Sequence, residues 1–316
     1  MIPYRNTALP HFFICYKLSM LDLKNLERNI LLSPYTTYKI GGKADYFYTA
    51  ENTDDLVKII GEAKKNQIPY FLLGTGANIL IGDKGFRGLV IYNNAHGLSF
   101  KNNFLTTESG ATISDLIEES AKRGLSGLEH FTGIPSSVGG AIRQNLHFLS
   151  PDRQSTIYIE EVVESGLVWE NGEIKRVDKD FFEFGYDDSI LHHKNIIVLE
   201  ITFKLNKKDP ELIRKQIQEN LAWRNEKQPQ LSEFPSCGSV FKKIDGVGAG
   251  RLIDQSGLKG KQIGGARVSE KHANYVVNLG NATARDVREL ISVVQENVLE
   301  KTGYKLEPEI GFIGEF

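Results

Sequence analysis

The 316-residue sequence has few of the features that mark specialised classes of protein. Its two cysteines, Cys15 and Cys237, stand at no metal-ligand spacing and provide no disulfide framework. The formal net charge is −2, so no global field draws the chain to nucleic acid or to an anionic membrane. Internal repeats and low-complexity tracts are absent as well. The composition predicts an ordinary globular protein of a reducing cytoplasm, with no metal, nucleic-acid or membrane partner.

The start of the chain carries no convincing targeting signal. Phe12–Tyr16 is a short apolar run, but Lys17 interrupts it and no small-residue cleavage site follows. The run is too short to span a membrane, and no other stretch comes closer. We expect residues 1–32 to be an N-terminal extension.

Helix and strand patterns alternate through the first part of the chain. Thr53 is predicted to cap a helix whose apolar residues recur at helical spacing over Leu56–Ala63. Strands are predicted at Tyr70–Leu73 and Gly88–Tyr92, and Thr112 is predicted to cap a second helix. This mixture indicates an α+β domain with two subregions.

The second part begins with strands and ends with helices. Ile196–Phe203 is strongly apolar and predicts a strand, and Lys207–Pro210 reads as a linker. A helix is predicted from Glu211 to about Glu226. The clearest helix pattern runs from Thr283 to Gly303, with a capping-box-like pair at Thr283 and Asp286.

The most informative stretch is the glycine-rich loop within Leu72–Leu80. Gly74 and Gly76 can adopt positive φ, and successive N–H groups in such a turn can bind a phosphate. A strand-like run, Asn78–Ile81, follows where the dinucleotide fingerprint of a doubly wound fold needs a third glycine and a helix. The loop therefore indicates either a nucleotide site outside a Rossmann domain or a plain turn.

A second glycine-rich loop, Gly133–Ala141, favours the nucleotide interpretation. It holds three glycines, Pro135 and two serine hydroxyls within nine residues. Pro135 fixes φ and removes a donor, while Ser136 and Ser137 can bond phosphate or cap the next helix. Two such loops in one domain indicate a long ligand with a pyrophosphate in its middle.

These loops, together with Tyr38–Gly42, resemble in order three motifs of the UDP-N-acetylenolpyruvoylglucosamine reductases. The resemblance runs from about Ser33 to Gly314. It implies the FAD-binding fold shared with vanillyl-alcohol oxidase, in a two-lobed domain over residues 33–207 (lobes about 33–95 and 96–207). A smaller α+β substrate-binding domain would occupy residues 208–316.

The resemblance also implies which residues bind the cofactor. They come from the three motifs and from one asparagine that follows them: Tyr38, Ile40, Gly41, Gly42, Gly74, Thr75, Gly76, Ala77, Asn78, Gly133, Ile134, Pro135, Ser136, Ser137, Gly139, Gly140, Ala141 and Asn145.

Catalytic and substrate-binding roles are implied for residues of the C-terminal part. Ser239, in Pro235–Lys243, matches the serine that protonates the substrate, and Glu309 matches an assisting carboxylate. Arg224, Lys227 and Lys243 are implied to bind the substrate, since cations suit a diphosphate. Without the resemblance these residues would read as a loop hydroxyl and solvated charges. Cys237 has no base at a fixed spacing and is interpreted as incidental.

Three departures from the family pattern concern charge and size. Asp187 stands where the family has an arginine that stabilises negative charge on the substrate. Lys243 replaces an amide, and the bulky run Leu146–Arg153 replaces small residues. Arg143, Arg153 or Lys243 would be the candidates to compensate for the missing arginine.

The resemblance implies that NADPH reduces the flavin, which then reduces the enolpyruvyl ether of a nucleotide sugar for peptidoglycan synthesis. The alternatives are a related FAD oxidoreductase with another substrate, for which Asp187 is the best argument, and a catalytically inactive flavin-binding protein. The sequence leaves the oligomeric state open, with a monomer favoured.

Overall fold

A computed structural model describes residues 26–244 and 246–316. Its α-helices are α1 (Thr53–Lys65), α2 (Ile113–Lys122), α3 (Val138–Arg143), α4 (Pro210–Lys227), α5 (Ala249–Gln255) and α6 (Ala284–Thr302). Its strands are β1 (Leu26–Leu31), β2 (Lys43–Ala50), β3 (Tyr70–Leu73), β4 (Ile79–Ile81), β5 (Phe86–Asn93), β6 (Leu98–Lys101), β7 (Phe104–Glu108), β8 (Leu125–Ser126), β9 (His147–Leu149), β10 (Thr156–Tyr158), β11 (Val163–Glu170), β12 (Glu173–Asp178), β13 (Ile196–Lys204), β14 (Asn206–Lys207), β15 (Gln262–Ile263), β16 (Ala266–Val268), β17 (Val276–Asn278) and β18 (Gly311–Ile313). This mixture is the predicted α+β class.

The strands form small and mostly antiparallel sheets. A four-stranded sheet has the order β1-β2-β5-β3, in which β3 and β5 are parallel. A five-stranded antiparallel sheet has the order β12-β11-β13-β7-β6. Three strands follow the order β15-β16-β17, and β18 pairs with β4 in parallel.

The chain divides into two compact units. The first unit contains Tyr48–Thr75 and Leu89–Trp223, and the second contains Glu27–Phe47, Gly76–Gly88 and Arg224–Phe316. In this division two early segments group with the C-terminal part, whereas the predicted boundaries, which remain a prediction, divide the chain into continuous segments. Strand pairing explains this grouping, because β4 is hydrogen-bonded to β18, which is distant from it in sequence. The predicted extension falls mostly on residues 1–25, outside the described residues, and Leu26–Leu31 already forms β1.

The first unit has its own apolar core. Helices α2 and α3 and strands β7, β11 and β13 bury large side chains there, among them Phe131, Phe182 and Phe203. Helix α1 begins one residue from where the sequence indicated: the Asn52 side chain accepts the Asp55 N–H at 2.9 Å, so Asn52 and not Thr53 is its cap. Thr112 caps α2 as predicted, accepting the Asp115 N–H at 3.1 Å.

The second unit packs around helix α6. Val287, Leu290, Ile291, Val294 and Val298 are buried on one face of this helix, as its period indicates. The predicted capping box is confirmed, because Thr283 and Asp286 each bond the other's backbone N–H. Gly303 ends the helix at φ +75°, a conformation that favours glycine.

No helix in residues 26–244 and 246–316 has both the length and the apolar character needed to cross a membrane. Within the same ranges, no group of His, Cys, Asp and Glu side chains is arranged to hold a metal ion.

Candidate functional site

In the first unit, the two glycine-rich loops lie against each other. The Thr75 hydroxyl donates a hydrogen bond to the Pro135 carbonyl at 2.8 Å. A Cβ at Gly74 would overlap the Ser137 hydroxyl, so only glycine allows this approach. Ser137 also caps α3, with its hydroxyl 3.3 Å from the Gly140 N–H. Loop stretches separated by about sixty residues in sequence therefore form one surface of backbone and hydroxyl groups.

Gly133, Ile134, Ser136 and Gly139 belong to the same surface, whereas Ala141 is fully buried in the core of the first unit. Most of their N–H groups already have protein acceptors, such as Ser109 O for Gly139 N at 2.8 Å. This region therefore offers chiefly its shape and hydroxyl groups to a ligand.

In the second unit, the remaining motif residues form another loop cluster. A Cβ at Gly42 would overlap the carbonyl of Asp83, which explains the glycine by packing against the protein's own backbone. Among the described residues, the backbone N–H groups of Gly76, Ala77 and Asn78 donate to no protein acceptor. These N–H groups are therefore available for a bound anion.

Tyr38 and Ile40 are core residues of the second unit. The Tyr38 side chain is fully buried, and its hydroxyl donates to the Val276 carbonyl at 2.8 Å. Asn278 donates to the Tyr38 carbonyl at 3.0 Å, so this oxygen also has a protein partner. Ile40 is 3% exposed. Both side chains support the loop from within, and the structure leaves them little surface for a ligand. Gly41 follows at φ +146°.

The Ser239 segment, residues 238–242, lies between two other backbone segments of the second unit. Ser239 pairs with Tyr275 in a β-bridge, and Val240 N donates to Asn274 O at 2.8 Å. On the other side, Glu309 N donates to Val240 O at 2.9 Å. The chain thereby brings the neighbourhoods of Ser239 and Glu309 together across about seventy residues of sequence.

The Asn274 side chain fixes this segment from within. Its amide donates to Phe241 O at 2.9 Å and accepts from Phe241 N at 3.0 Å. Asn274 is 7% exposed, so these two bonds are protected from water. The sequence indicated family membership for His272–Asn274 but no structural role, because amide geometry cannot be deduced from spacing.

Burial and neighbouring charges shift the pKa values of several side chains around the Ser239 segment. Burial raises the pKa of the Tyr275 phenol to about 12, Arg224 opposes that rise, and Glu309 adds to it. Burial lowers the pKa of the Arg224 guanidinium. Burial also raises the pKa of the Cys237 thiol, so a nucleophilic thiolate is disfavoured there. Tyr275 is thus a polar residue near Glu309 that the sequence analysis did not single out.

The other predicted substrate-binding residues are exposed. Lys227 lies 2.6 Å from Glu226 in an ion pair whose side chains are both more than half exposed. Lys243 is also exposed. Such side chains remain able to reach a ligand, and their substrate contacts stay a prediction.

In the first unit, the residues near the missing family arginine have partners of their own. His147 Nδ1 lies 3.5 Å from Asp187 Oδ1. The Arg143 guanidinium donates to the Leu191 carbonyl, and Arg153 donates to Asn220 Oδ1 at 2.8 Å. Arg153 also lies over Phe148 and Trp223. The side chain next to Asp187 is therefore the imidazole of His147, which the sequence analysis mentioned only as part of the bulky run Leu146–Arg153.

Comparison with known proteins agrees with the motifs. Residues 44–178 match an FAD binding domain, and residues 228–313 match the UDP-N-acetylenolpyruvoylglucosamine reductase C-terminal domain. The UDP-N-acetylenolpyruvoylglucosamine reductase of Clostridium novyi is 38% identical over 299 residues, covering 94% of this chain and 95% of that protein. The UDP-N-acetylenolpyruvoylglucosamine reductase 2 of Bacillus cereus is 39% identical over 301 residues, covering 95% and 96%.

A solved structure extends the similarity to the fold. The crystal structure of the Thermus caldophilus UDP-N-acetylenolpyruvylglucosamine reductase has a TM-score of 0.76 and 33% identity, covering 91% of this chain and 98% of that one. The predicted α+β fold, an FAD-binding domain followed by a smaller C-terminal domain, is thereby confirmed. This chain belongs to the UDP-N-acetylenolpyruvoylglucosamine reductase family.

Proposed function

We propose that this protein is an FAD-dependent, NADPH-using reductase that converts UDP-N-acetylglucosamine enolpyruvate to UDP-N-acetylmuramate for peptidoglycan synthesis. Its relatives from Clostridium novyi and Bacillus cereus are UDP-N-acetylenolpyruvoylglucosamine reductases, which supports the reaction. The observation in this chain that carries the proposal is the backbone bond of 2.9 Å from Glu309 N to Val240 O, beside Ser239. It brings the predicted proton donor and the predicted carboxylate into adjacent segments.

The residues present fit FAD. The N–H groups of Gly76, Ala77 and Asn78 have no protein acceptor among the described residues, as a pyrophosphate site requires. Asn145 is 1% exposed, and its Oδ1 has no hydrogen-bond partner within those residues. Because a buried polar atom without a partner costs free energy, a donor on a bound ligand would satisfy it. These residues, with the loop surface of Thr75 and Ser137, would hold the cofactor.

Each predicted catalytic or substrate-binding residue has a separate task in this reaction. FAD, when bound, supplies the hydride that NADPH provides. Ser239 Oγ gives a proton to the substrate carbon next to the one that is reduced, and Glu309 assists at the enolpyruvyl group. A serine hydroxyl suffices as an acid when its partner is strongly basic and is held in position. Arg224, Lys227 and Lys243 bind the anionic substrate.

We also propose that the protein acts in the cytoplasm and as a monomer. Its proposed substrate is a small nucleotide sugar, and the described cysteine, Cys237, is free and buried. Large exposed apolar side chains lie on different elements, including Leu31 on β1, Ile174 on β12 and Phe312 on β18. Light scattering at micromolar concentration would test the monomer directly.

The test of the reaction is product identification. The purified protein, NADPH and UDP-N-acetylglucosamine enolpyruvate are incubated, and the nucleotide sugars are analysed by mass spectrometry. The proposal predicts UDP-N-acetylmuramate in equal amount to the NADPH consumed. NADPH consumption without a two-hydrogen gain in the sugar would refute it.

A further inference from the structure

Tyr275 lies directly opposite Ser239 in a β-bridge of the second unit. Side chains of directly opposite residues point to the same face and lie within contact range of each other. The Tyr275 side chain is therefore next to Ser239, the predicted proton donor. Tyr275 is 7% exposed, so protein covers most of its ring.

Backbone hydrogen bonds and an aromatic contact fix the Tyr275 ring. Tyr275 N donates to His272 O at 2.9 Å, and Tyr275 O accepts from Ser269 N at 2.8 Å. The ring centroids of His272 and Tyr275 are 4.9 Å apart in an edge-to-face arrangement. The His272 ring is itself held, because its Nδ1 accepts from Asn274 N at 3.3 Å. The phenol is therefore held in one orientation.

The Tyr275 hydroxyl makes no hydrogen bond within residues 26–244 and 246–316. A buried tyrosine usually finds a partner for its hydroxyl, as Tyr38 does by donating to the Val276 carbonyl at 2.8 Å. The Tyr275 hydroxyl oxygen is not enclosed by protein atoms, so a ligand can reach it. The hydroxyl is therefore a hydrogen-bonding group that the fold holds in place and leaves available for a ligand.

The ionisable groups around the phenol favour an anion on the side of Arg224. Burial raises the pKa of the Tyr275 phenol to about 12, so the hydroxyl keeps its proton and can donate at neutral pH. Of the neighbouring groups, Arg224 affects this pKa most, ahead of Glu309 and Cys237. A neutral O–H donor beside a guanidinium suits an oxygen of a phosphate group. All these residues and Ser239 belong to the second unit, so one unit can form this site by itself.

We propose that the Tyr275 hydroxyl donates a hydrogen bond to a phosphate oxygen of the nucleotide-sugar substrate, next to Arg224. This inference rests on the proposed function, because it takes the diphosphate from the substrate of that reaction. Arg224 supplies the positive charge, and Tyr275 supplies a neutral donor in a fixed position. Anchoring the diphosphate at this point limits how far the rest of the substrate can move relative to Ser239.

A purely structural Tyr275 makes a different prediction. If the ring only fills space, Tyr275→Phe changes no affinity, because phenylalanine keeps the ring. If the hydroxyl serves the enolpyruvyl group, only a ligand that carries this group is affected. If the hydroxyl binds the diphosphate, then UDP, UDP-N-acetylglucosamine and UDP-N-acetylglucosamine enolpyruvate all lose affinity alike, because all three contain it.

The test titrates the oxidised, flavin-loaded protein with these three ligands by isothermal calorimetry. In Tyr275→Phe, we expect each dissociation constant to rise on the order of 10- to 100-fold, the scale of a hydrogen bond to a charged group. In an Arg224→Gln background, the same change should cost less than about threefold, because the phosphate is no longer held beside the phenol. Tyr304→Phe is the matched control, since Tyr304 is 41% exposed and its variant should bind all three ligands as the wild type does. The flavin content of Tyr275→Phe should equal that of the wild type.

Unchanged affinity in Tyr275→Phe, or a loss confined to the enolpyruvyl ligand, would overturn the inference. The same fold loss with and without Arg224 would overturn it too, since the two side chains would then act on different groups. Loss of flavin from Tyr275→Phe would also count against it, because it would indicate a general disturbance of the fold. The proposed function fails separately: wild-type protein that binds flavin and all three ligands but forms no UDP-N-acetylmuramate refutes the reaction and leaves the role of the hydroxyl in binding intact.

Discussion

In the second unit, Ser239 is placed by backbone hydrogen bonds to residues on both sides of it. In the first unit, His147 is placed by side-chain contacts with Asp187, Tyr158 and Tyr186. The Ser239 segment keeps the family motif, and the His147 region departs from it. Because backbone hydrogen bonds hold Ser239, neighbouring side chains can change without displacing it. A position that side chains hold, such as that of His147, changes when those side chains are replaced. One chain can therefore keep the motif around Ser239 while the residues around His147 differ from the family pattern.

The largest effect should come from removing the proton donor. Ser239→Ala should slow reoxidation of the reduced flavin by the enolpyruvyl sugar by about 10²- to 10⁴-fold, the usual contribution of a positioned acid. Flavin reduction by NADPH should stay within about twofold, because no proton from Ser239 is needed there. Stopped-flow absorbance measures both steps.

The exposed Ser232 offers a matched control, and Ser232→Ala should leave both half-reactions unchanged. Equal slowing of the two steps in Ser239→Ala would contradict the assigned role, since it would indicate a general disturbance of the flavin site.

The next effect tests whether the Asn274 side chain holds the Ser239 segment in place. Asn274→Ala removes two buried hydrogen bonds to Phe241, and we expect the free energy of unfolding to fall by about 1–3 kcal/mol. Asn274→Asp keeps the acceptor but places a carboxylate oxygen near Phe241 O, so it should destabilise at least as much. Urea unfolding measures both variants. Unchanged stability would show that the segment does not depend on Asn274.

A third prediction concerns the contact between the two glycine loops. Gly74→Ala should lower stability by about 1–3 kcal/mol and release flavin, because the new Cβ overlaps the Ser137 hydroxyl. Gly61→Ala is the control: this helical glycine has open space around its Cβ position, and alanine should stabilise α1 by about 0.5–1 kcal/mol. Thermal unfolding and the ratio of flavin to protein absorbance report the results. Full flavin retention in Gly74→Ala would argue against the loop contact.

The smallest effect on the reaction is expected at Cys237, whose role is interpreted as incidental. Burial raises the pKa of its thiol, so labelling by a disulfide reagent should be at least about 100-fold slower in the native protein than in urea. A Cys15→Ser background isolates this thiol, since the sequence has only two cysteines. Rapid native labelling with loss of activity would mean that Cys237 is accessible and that its incidental role must be revised.

Local features of the fold could be predicted, because they depend on neighbouring residues. Thr283 and Asp286 form the expected capping box, and the period from Val287 to Val298 identifies the buried face of α6. The cap of α1 was misplaced by one residue because Asn52 and Thr53 both have suitable side chains. The strand at Ile79–Ile81 was predicted, but its partner β18 was not, since pairing across the whole chain leaves no local signal.

The candidate site could be predicted only through its motifs. Nothing in the spacing of Ser239 and Glu309 shows that Glu309 N bonds Val240 O. Tyr38 was predicted to contact the cofactor; its side chain lies in the core of the second unit, and the contact stays a prediction. Asp187 was recognised as a departure, while its contact with His147, forty residues earlier, depends on the left-handed turns at Asn145 and Asp187. The predicted cofactor and substrate contacts, and the predicted domain boundaries, remain predictions.

The most direct test of the central claim is anaerobic. The flavin-loaded protein is reduced with NADPH, UDP-N-acetylglucosamine enolpyruvate is added, and the flavin absorbance is followed. We predict rapid return of the oxidised spectrum, because the chain keeps Ser239, the predicted proton donor. A flavin that reduces but stays bleached would contradict the account and indicate an oxidoreductase with a different acceptor.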